Sequence, residues 1–565
     1  MSEHATENRP RKSLRESVCE IDRDILRLLM RRHNLLRRMH TAKGHLDPAE
    51  EKFLREAWEA AASRVSRDPR LSSRLFTLMQ EVEFLPRPED EPADKRPAFN
   101  LAPATAPVSL AMRAPLACRD TRAWLYLAAA AGRPLRLEPC LMNDPIVDCV
   151  KMLNQLGAAL TRENDGVSVM SAAPLGAPDK VVHVGCSAWN FYLILGHYLG
   201  RPSRAKFVGD ADLRFADFSV ARRFAGQMGA RLIQAVPKSD GLPVRLECSG
   251  VLPDTVRLPA DAPVELAEGI LLAAPFYAQP LCLDLAAMSA RAVVFARTLP
   301  ILEQAGADVR REGDRICVTP GLSALPQRPR LPLEAELGLL LLALSPSLGG
   351  TVRLEGVWPQ TPAAQAGWEL LRRFGCAPRS EKGETPVIEL TQASPLAAAP
   401  AGLALPEDFP DEWLPLPLAL LAQAALRHGS AALPAELLDR GGEDFRTDMT
   451  SFCTALHLAV DNGVLRPQSE EESAGTAVGR GWNAPTPVWA LALALAACAR
   501  DKRQVRLGNP GIITTLYPAF WTLYNGLPAP KMEREPAPAA PVQRQRRRII
   551  TSALADIPDL PEDDY

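Results

Sequence analysis

The sequence predicts an α/β protein built of repeated helix/β-hairpin units behind an all-helical head, on three observations. First, a helix-like run closed by Gly and a small residue recurs. It reads Met152-Leu-Asn-Gln-Leu-Gly157-Ala158, Phe224-Ala-Gly-Gln-Met-Gly229-Ala230, Ile301-Leu-Glu-Gln-Ala-Gly306-Ala307 and Leu370-Leu-Arg-Arg-Phe-Gly375-Cys376. A looser copy reads Leu458-Ala-Val-Asp-Asn-Gly463-Val464. Gly ends helices because it takes the left-handed conformation without strain, and a fixed period of roughly 70 to 90 residues marks a repeated unit. Second, alternating segments around short Gly turns follow these glycines, as in Leu160-Thr-Arg-Glu-Asn-Asp-Gly166-Val-Ser-Val and Ala307-Asp-Val-Arg-Arg-Glu-Gly313-Asp-Arg-Ile-Cys-Val318, a hairpin signal. Third, residues 12–86 carry few Pro or Gly and place Ile21, Ile25, Leu28, Leu29, Leu35, Leu36 and Met39 at helical spacing.

In chain order, the head (12–86) starts with a long helix that Asp47-Pro48 interrupts; the Asp is a natural N-cap and Pro suits the first helical position. A third helix is expected from Leu71 to Leu85. Residues 87–107 have linker composition. Two repeat-built domains follow, 108–325 with three units and 326–528, which 108–114 are placed to join. Residues 529–565, basic at Arg544–Arg548 and then acidic, read as a disordered tail.

Bulk composition narrows the function classes. A chain of 565 residues exceeds one core and holds several domains. The net charge of −2 gives no electrostatic case for a nucleic-acid binder. Eleven Cys without CxxC pairs read as reduced thiols, with no disulfide framework and no metal site. The N-terminus lacks an apolar signal core, and the longest apolar run, Leu337–Leu344, is too short for a bilayer. A cytoplasmic protein without membrane contact is expected.

In the head, Arg32 and Lys43 are 11 residues apart and share a helix face, whereas Arg15 lies about 100° off it. One helix does not bring all three to one ligand; interleaved helices of a homodimer do. Such residues also suit a solvated face. The runs Leu14-Arg15, Ile21-Asp-Arg-Asp-Ile-Leu-Arg-Leu-Leu29, Arg31-Arg32 and Lys43, with the helix 71–85, resemble the all-helical chorismate mutase family. The resemblance implies that Arg15 reaches the partner's pocket, that Arg32 and Lys43 hold chorismate's carboxylates and ether oxygen, and that Glu51 binds its hydroxyl. That reaction needs a clamped dicarboxylate and a cation at the oxygen gaining charge. Glu50, Glu83 and Arg87 depart from the family's pattern. Docking or dimerisation is the other reading of the head.

Five helix-Gly-hairpin units and a closing helix, with Pro115 to Gly132, Val208-Gly-Asp210 to Leu213-Arg214 and Leu516-Tyr-Pro-Ala-Phe-Trp521, resemble the enolpyruvyl transferase family in its EPSP synthase branch. The resemblance implies two domains of three units each, facing across a cleft. It implies phosphoenolpyruvate and shikimate 3-phosphate as substrates, no cofactor, and proton transfers within dense positive charge. Asp411, in Phe409-Pro410-Asp411, matches the family's catalytic Asp. Glu443 and Arg446 match its proton-transferring Glu and phosphoenolpyruvate-binding Arg, and Glu334 an acidic residue at the hinge. Asp411 also suits an N-cap, and Glu443 and Arg446 a surface pair.

The family's catalytic Lys is Cys118 here, an Arg is Tyr192, the Arg-Pro turn is Phe215-Ala-Asp217, the last Lys is Thr515, and the Ser-Ser-Gln stretch is Pro263-Val-Glu265. Arg119, Arg122, Arg214 and Arg291 are the cations left to restore charge in the cleft. Two readings stay open: a divergent transferase of aromatic amino acid biosynthesis, and a catalytically impaired scaffold for pathway metabolites or partners. The UDP-N-acetylglucosamine enolpyruvyl transferases share the fold, but the mutase-like head argues against them.

Overall fold

The structure, a computed structural model, describes residues 48–62 and 99–528, apart from 102–105, 164, 171–172, 177–180, 237–238, 382, 384, 397, 401, 469–480 and 500–504. The chain divides into two compact units after Pro97. In the first, one helix spans Pro48–Ala62, beginning at the Pro as the Asp-Pro signal predicts, with Lys52 and Glu56 paired at 3.9 Å on its exposed face. Arg15, Arg32, Lys43, the 71–85 helix and the 529–565 tail lie outside the described residues, and Glu51 is placed on this helix only by its backbone.

Among its described residues the second unit repeats one pattern six times, with some copies reduced. Its fullest form has a strand, a buried helix, a second strand parallel to the first, an outer helix, and a hairpin whose far strand pairs antiparallel with the second. One copy runs through Val181–His183, Ala188–Leu199, Pro202–Val208, Ser219–Ala225, Ala230–Gln234 and Val244–Ser249. The next runs through Thr255–Arg257, Val264–Ala273, Leu281–Asp284, Arg291–Gln304, Val309–Glu312 and Arg315–Val318. A third pairs Gly350–Glu355 parallel with Val108–Arg113, so residues 108–113 join the sheet of the later half. Two copies lack the first strand: Leu135–Leu137 with Leu160–Arg162 and Val167–Val169, and Ala431–Ala432 with Leu458–Asp461 and Val464–Pro467. The last is a two-stranded pair of Val505–Leu507 with Phe99–Leu101, the latter within the segment whose composition reads as a linker.

The inner helices hold the core. Ala188–Leu199 is buried from Trp189 to Leu199, and Val264–Ala273 from Leu266 onward. They touch backbone to backbone: a Cβ on Gly196 would lie 2.3 Å from the Gly269 carbonyl oxygen, and one on Gly269 equally close to that of Tyr192. In the later half Gln423, buried on Pro415–His428, donates to Ser347 Oγ at 2.7 Å and to the Leu495 carbonyl at 2.6 Å, tying three inner helices together.

Four of the five recurring glycines behave as the repeat predicts: Gly157, Gly229, Gly306 and Gly375 take φ of 98°, 62°, 75° and 77° at helix ends. The fifth does not. Leu458–Asp461 is a strand, and Asn462-Gly463 (φ 50° and 75°) is the two-residue turn of its hairpin. Asn-Gly is the strongest short hairpin signal, and it overrides the helix-like apolar spacing before it. The preceding helix, Ala435–Ala455, is instead followed by His457 at φ 51°.

The cysteine expectation also changes. Cys282 and Cys317 stand opposite each other on antiparallel strands and form a disulfide. Strand register brought together two residues 35 apart, which no sequence-spacing rule detects.

Candidate functional site

Four chain segments meet at the start of the Cys118–Ala131 helix. The backbone N–H of Cys118 donates to Glu334 Oε2 at 2.7 Å, and that of Glu334 to the Pro115 carbonyl at 2.8 Å, beside an antiparallel bridge of Leu116 with Leu333. Cys118 Sγ contacts Asn143 Oδ1 at 3.5 Å. Asn143, 2% exposed, caps the Asp144–Gln155 helix by accepting from the Ile146 N–H, and donates to the Leu516 carbonyl at 3.3 Å. This crossing is thus stitched by backbone and amide groups.

Burial holds two ionisable groups of this crossing in their neutral forms. Burial first, then the neighbouring Glu336 carboxylate, pushes Glu334 up to about 8, so it carries a proton at neutral pH. Burial also raises the Cys118 thiol, with Arg122 opposing, leaving it a neutral thiol. A neutral Cys supplies no cation here.

The arginines that follow turn inward. Arg119 forms a salt bridge with Glu268, which is 1% exposed on Val264–Ala273. Glu268 also accepts from Trp189 Nε1 at 3.0 Å. Arg122 donates to Ser187 Oγ at 2.8 Å and Asn190 Oδ1 at 3.0 Å, and its guanidinium lies 4.6 Å from the Trp189 ring centroid. Both cations are engaged with the inner helices of their own half. Tyr192 is buried against Phe191 and Phe218. Arg214 is exposed on the short Ala211–Phe215 helix, and Phe215 beside it is 87% exposed. Arg291 is apart from these, bonded to Asp314 Oδ1 at 3.1 Å and to the Met288 carbonyl at 3.0 Å.

A second group forms around residues 406–446. Asp411 bonds Arg440 at 2.7 Å and 2.9 Å, while Arg440 also donates to the Pro406 and Phe409 carbonyls. The adjacent Asp439 lies 3.8 Å from Arg446. Gly442, at φ 69° and ψ −165°, kinks the Ala435–Ala455 helix, and Glu443 follows the kink, exposed. Arg440 thus holds Asp411, Asp439 beside it holds Arg446, and Glu443 lies on the same helix past the kink, whereas Arg119, Arg122 and Glu334 belong to the other group. Sequence reasoning missed Arg440 and Glu268, whose partners lie far along the chain.

A third cluster joins Asp148, Cys186 and Asp210, whose ligand atoms lie within 4.8 Å of one another. Burial and these carboxylates push the Cys186 thiol up to about 11, Asp148 accepts from the Cys186 N–H at 3.3 Å, and Lys151 stands 3.2 Å from Asp148. A protonated thiol beside an already partnered carboxylate is a poor metal ligand set. Among the described residues no helix is long and apolar enough to cross a membrane.

No family model matches the chain. The 3-phosphoshikimate 1-carboxyvinyltransferase of Parvibaculum lavamentivorans is 29% identical over 161 residues, covering 27% of this chain and 34% of that relative. That of Rhodopseudomonas palustris (strain BisB5) is 30% identical over 153 residues, covering 26% and 34%. The chain thus spans about a third of the length of the curated relatives it matches. An EPSP synthase structure from Acinetobacter baumannii aligns with a TM-score of 0.56 at 18% identity, covering 76% of this chain and 98% of that one. At that identity the structural likeness speaks to fold, and local sequence similarity points to the same enzymes. The chain is a divergent EPSP synthase-like protein.

Proposed function

We propose that residues 99–528 are an EPSP synthase-like scaffold in which the condensation of phosphoenolpyruvate with shikimate 3-phosphate is impaired, and which binds a metabolite or partner of the aromatic pathway. One observation carries this reading: Arg119 and Arg122, the cations nearest the position of the missing Lys, are committed to Glu268, Asn190, Ser187 and Trp189. The two substrates bring roughly five negative charges, and a site that stabilises them needs donors free to face them. Each lost hydrogen bond to a charged group removes about 1.5–3 kcal/mol.

A second reading, a working transferase, is favoured by the Asp411–Arg440 pair with Glu443 and the half-exposed Arg446, an acid and cations open to solvent. Purified full-length protein incubated with both substrates separates the two. Phosphate release at no more than the enzyme-free rate is expected. Release that Asp411→Ala abolishes establishes the transferase instead.

The head is proposed to bind chorismate through Arg15, Arg32, Lys43 and Glu51, with the mutase-like residue pattern as its support. Chorismate consumption that Arg32→Ala removes would make it a mutase; calorimetric binding without consumption would make it a binding module.

A further inference from the structure

A cavity of about 600 Å³ opens beside the crossing between the two halves of the body, and four arginines line it: Arg113, Arg136, Arg328 and Arg330. They come from three chain segments. Arg113 ends the Val108–Arg113 strand, in register with Glu355 on Gly350–Glu355. Arg136 is central to Leu135–Leu137, and its backbone N–H donates to the Gln327 carbonyl at 2.9 Å, which draws the Arg328–Arg330 segment alongside. The lining carboxylates are Glu138 and Glu355. Glu138 is divided between Arg113, at 3.5 Å, and Arg136, at 3.1 Å. Arg328 and Arg330 are exposed at the rim. Four guanidiniums stand against two lining carboxylates, and Glu163, outside the lining, also pairs with Arg136 at 3.1 Å, which leaves the cavity about one positive charge in excess. None of Arg119, Arg122, Asp411, Glu443 or Arg446 lines it, so it is separate from the groups described above.

We infer that this cavity binds a small multivalent oxyanion, with phosphate or carboxylate oxygens facing the arginines. Like charges drawn into one concavity repel unless a counter-charge fills it, and planar guanidinium forks fit both kinds of oxyanion in pairs of parallel hydrogen bonds. The volume falls in the range of small-molecule sites. The walls belong to both halves: Arg136 to Pro139 of the earlier half on one side, with residues 328–331 alongside, and Glu355 to Val357 and Thr385-Pro386 of the later half on the other. An occupant therefore ties the halves together next to the Pro332–Val357 bridge, and its binding raises the melting temperature by mass action.

The full-length protein is titrated by calorimetry and thermal shift with inorganic pyrophosphate and, separately, with citrate, at constant ionic strength. The expected result is one saturable site for at least one probe, with Tm rising on binding. Arg328→Ala/Arg330→Ala weakens that affinity at least about tenfold and removes the Tm rise. Arg204→Ala/Arg231→Ala, which removes two exposed arginines elsewhere, leaves both unchanged. Should the double variant melt early without ligand, Arg113→Gln gives the same reading from the opposite wall. Pyrophosphate binding alone assigns a phosphate-type ligand, citrate alone a polycarboxylate. No saturable binding by either probe below about 10 mM overturns the inference, as does equal binding by wild type and the rim variant.

Discussion

Glu268 decides what Arg119 can do. A carboxylate 1% exposed on a mostly apolar helix must keep its partner, because an unpaired buried charge costs far more than the pair returns. Glu268→Ala is expected to destabilise the body by about 3 kcal/mol, read as an early thermal transition, while Glu268→Leu combined with Arg119→Met recovers most of the loss. If the single and double variants melt alike, the pair is not what holds these helices. Arg119 was legible in the sequence as a cation at a significant position. Its direction was not, since the partner is 149 residues away, from 119 to 268, inside a run that reads as plain core. Glu334 gives a pH signature at the same crossing. Its carboxyl rises from 4.5 to about 8 through burial and Glu336. Between those values the unfolded chain releases a proton that the folded chain keeps, so this contribution is complete below pH 4.5 and declines as pH climbs to 8. Glu334→Gln keeps an acceptor for the Cys118 N–H and does not titrate. The Tm of Glu334→Gln minus that of wild type should grow from pH 5 to pH 8; a constant difference would refute the raised pKa.

At the scale of elements, the helix-ending glycines separate into two kinds. A Cβ on Gly229 would meet Ser249 Oγ and the Val251 carbonyl, both at 2.7 Å, and one on Gly306 would meet Ser323 Oγ and the Ala324 nitrogen, both at 2.6 Å. In both turns the serine hydroxyl donates to the glycine carbonyl, at 2.9 Å and 2.8 Å, so two successive units close by the same device. Gly157 and Gly375 face open space. Alanine at any of the four costs about 1–2 kcal/mol for the left-handed backbone. Gly229→Ala and Gly306→Ala add a clash with backbone atoms and should melt measurably below Gly157→Ala and Gly375→Ala; equal losses would leave backbone strain as the whole effect. These turns were legible because the requirement is local, a positive φ that Gly meets. Gly463 was misread because a local hairpin signal competed with a local helix signal and nothing nearby arbitrated. The Cys282–Cys317 pair depends on strand register, which the sequence does not display.

For the molecule as a whole, closure depends on strands that leave their sequence neighbours. Val108–Arg113 completes a sheet with Gly350–Glu355, and Phe99–Leu101 supplies the only partner strand of Val505–Leu507 among the described residues. The second pairing rests on three residues with neither periodicity nor turn signal, so their composition reads as linker. Its energetic weight is visible in the packing: Leu101 is 4% exposed, and the Phe99 ring lies 4.9 Å from that of Trp521 on the closing helix. Burying Leu101 contributes about 1.5–3 kcal/mol, and the partly buried Phe99 adds less than that. Deleting them also strips Val505–Leu507 of its ladder and exposes a strand edge. A chain starting at residue 98 should therefore keep the thermal transition of the body, since the compact unit begins there. A chain starting at residue 107 should melt several degrees lower and aggregate sooner on heating. Indistinguishable melting of the two truncations would mean that the 99–101 strand adds nothing to the last unit and that residues 99–107 act only as a tether.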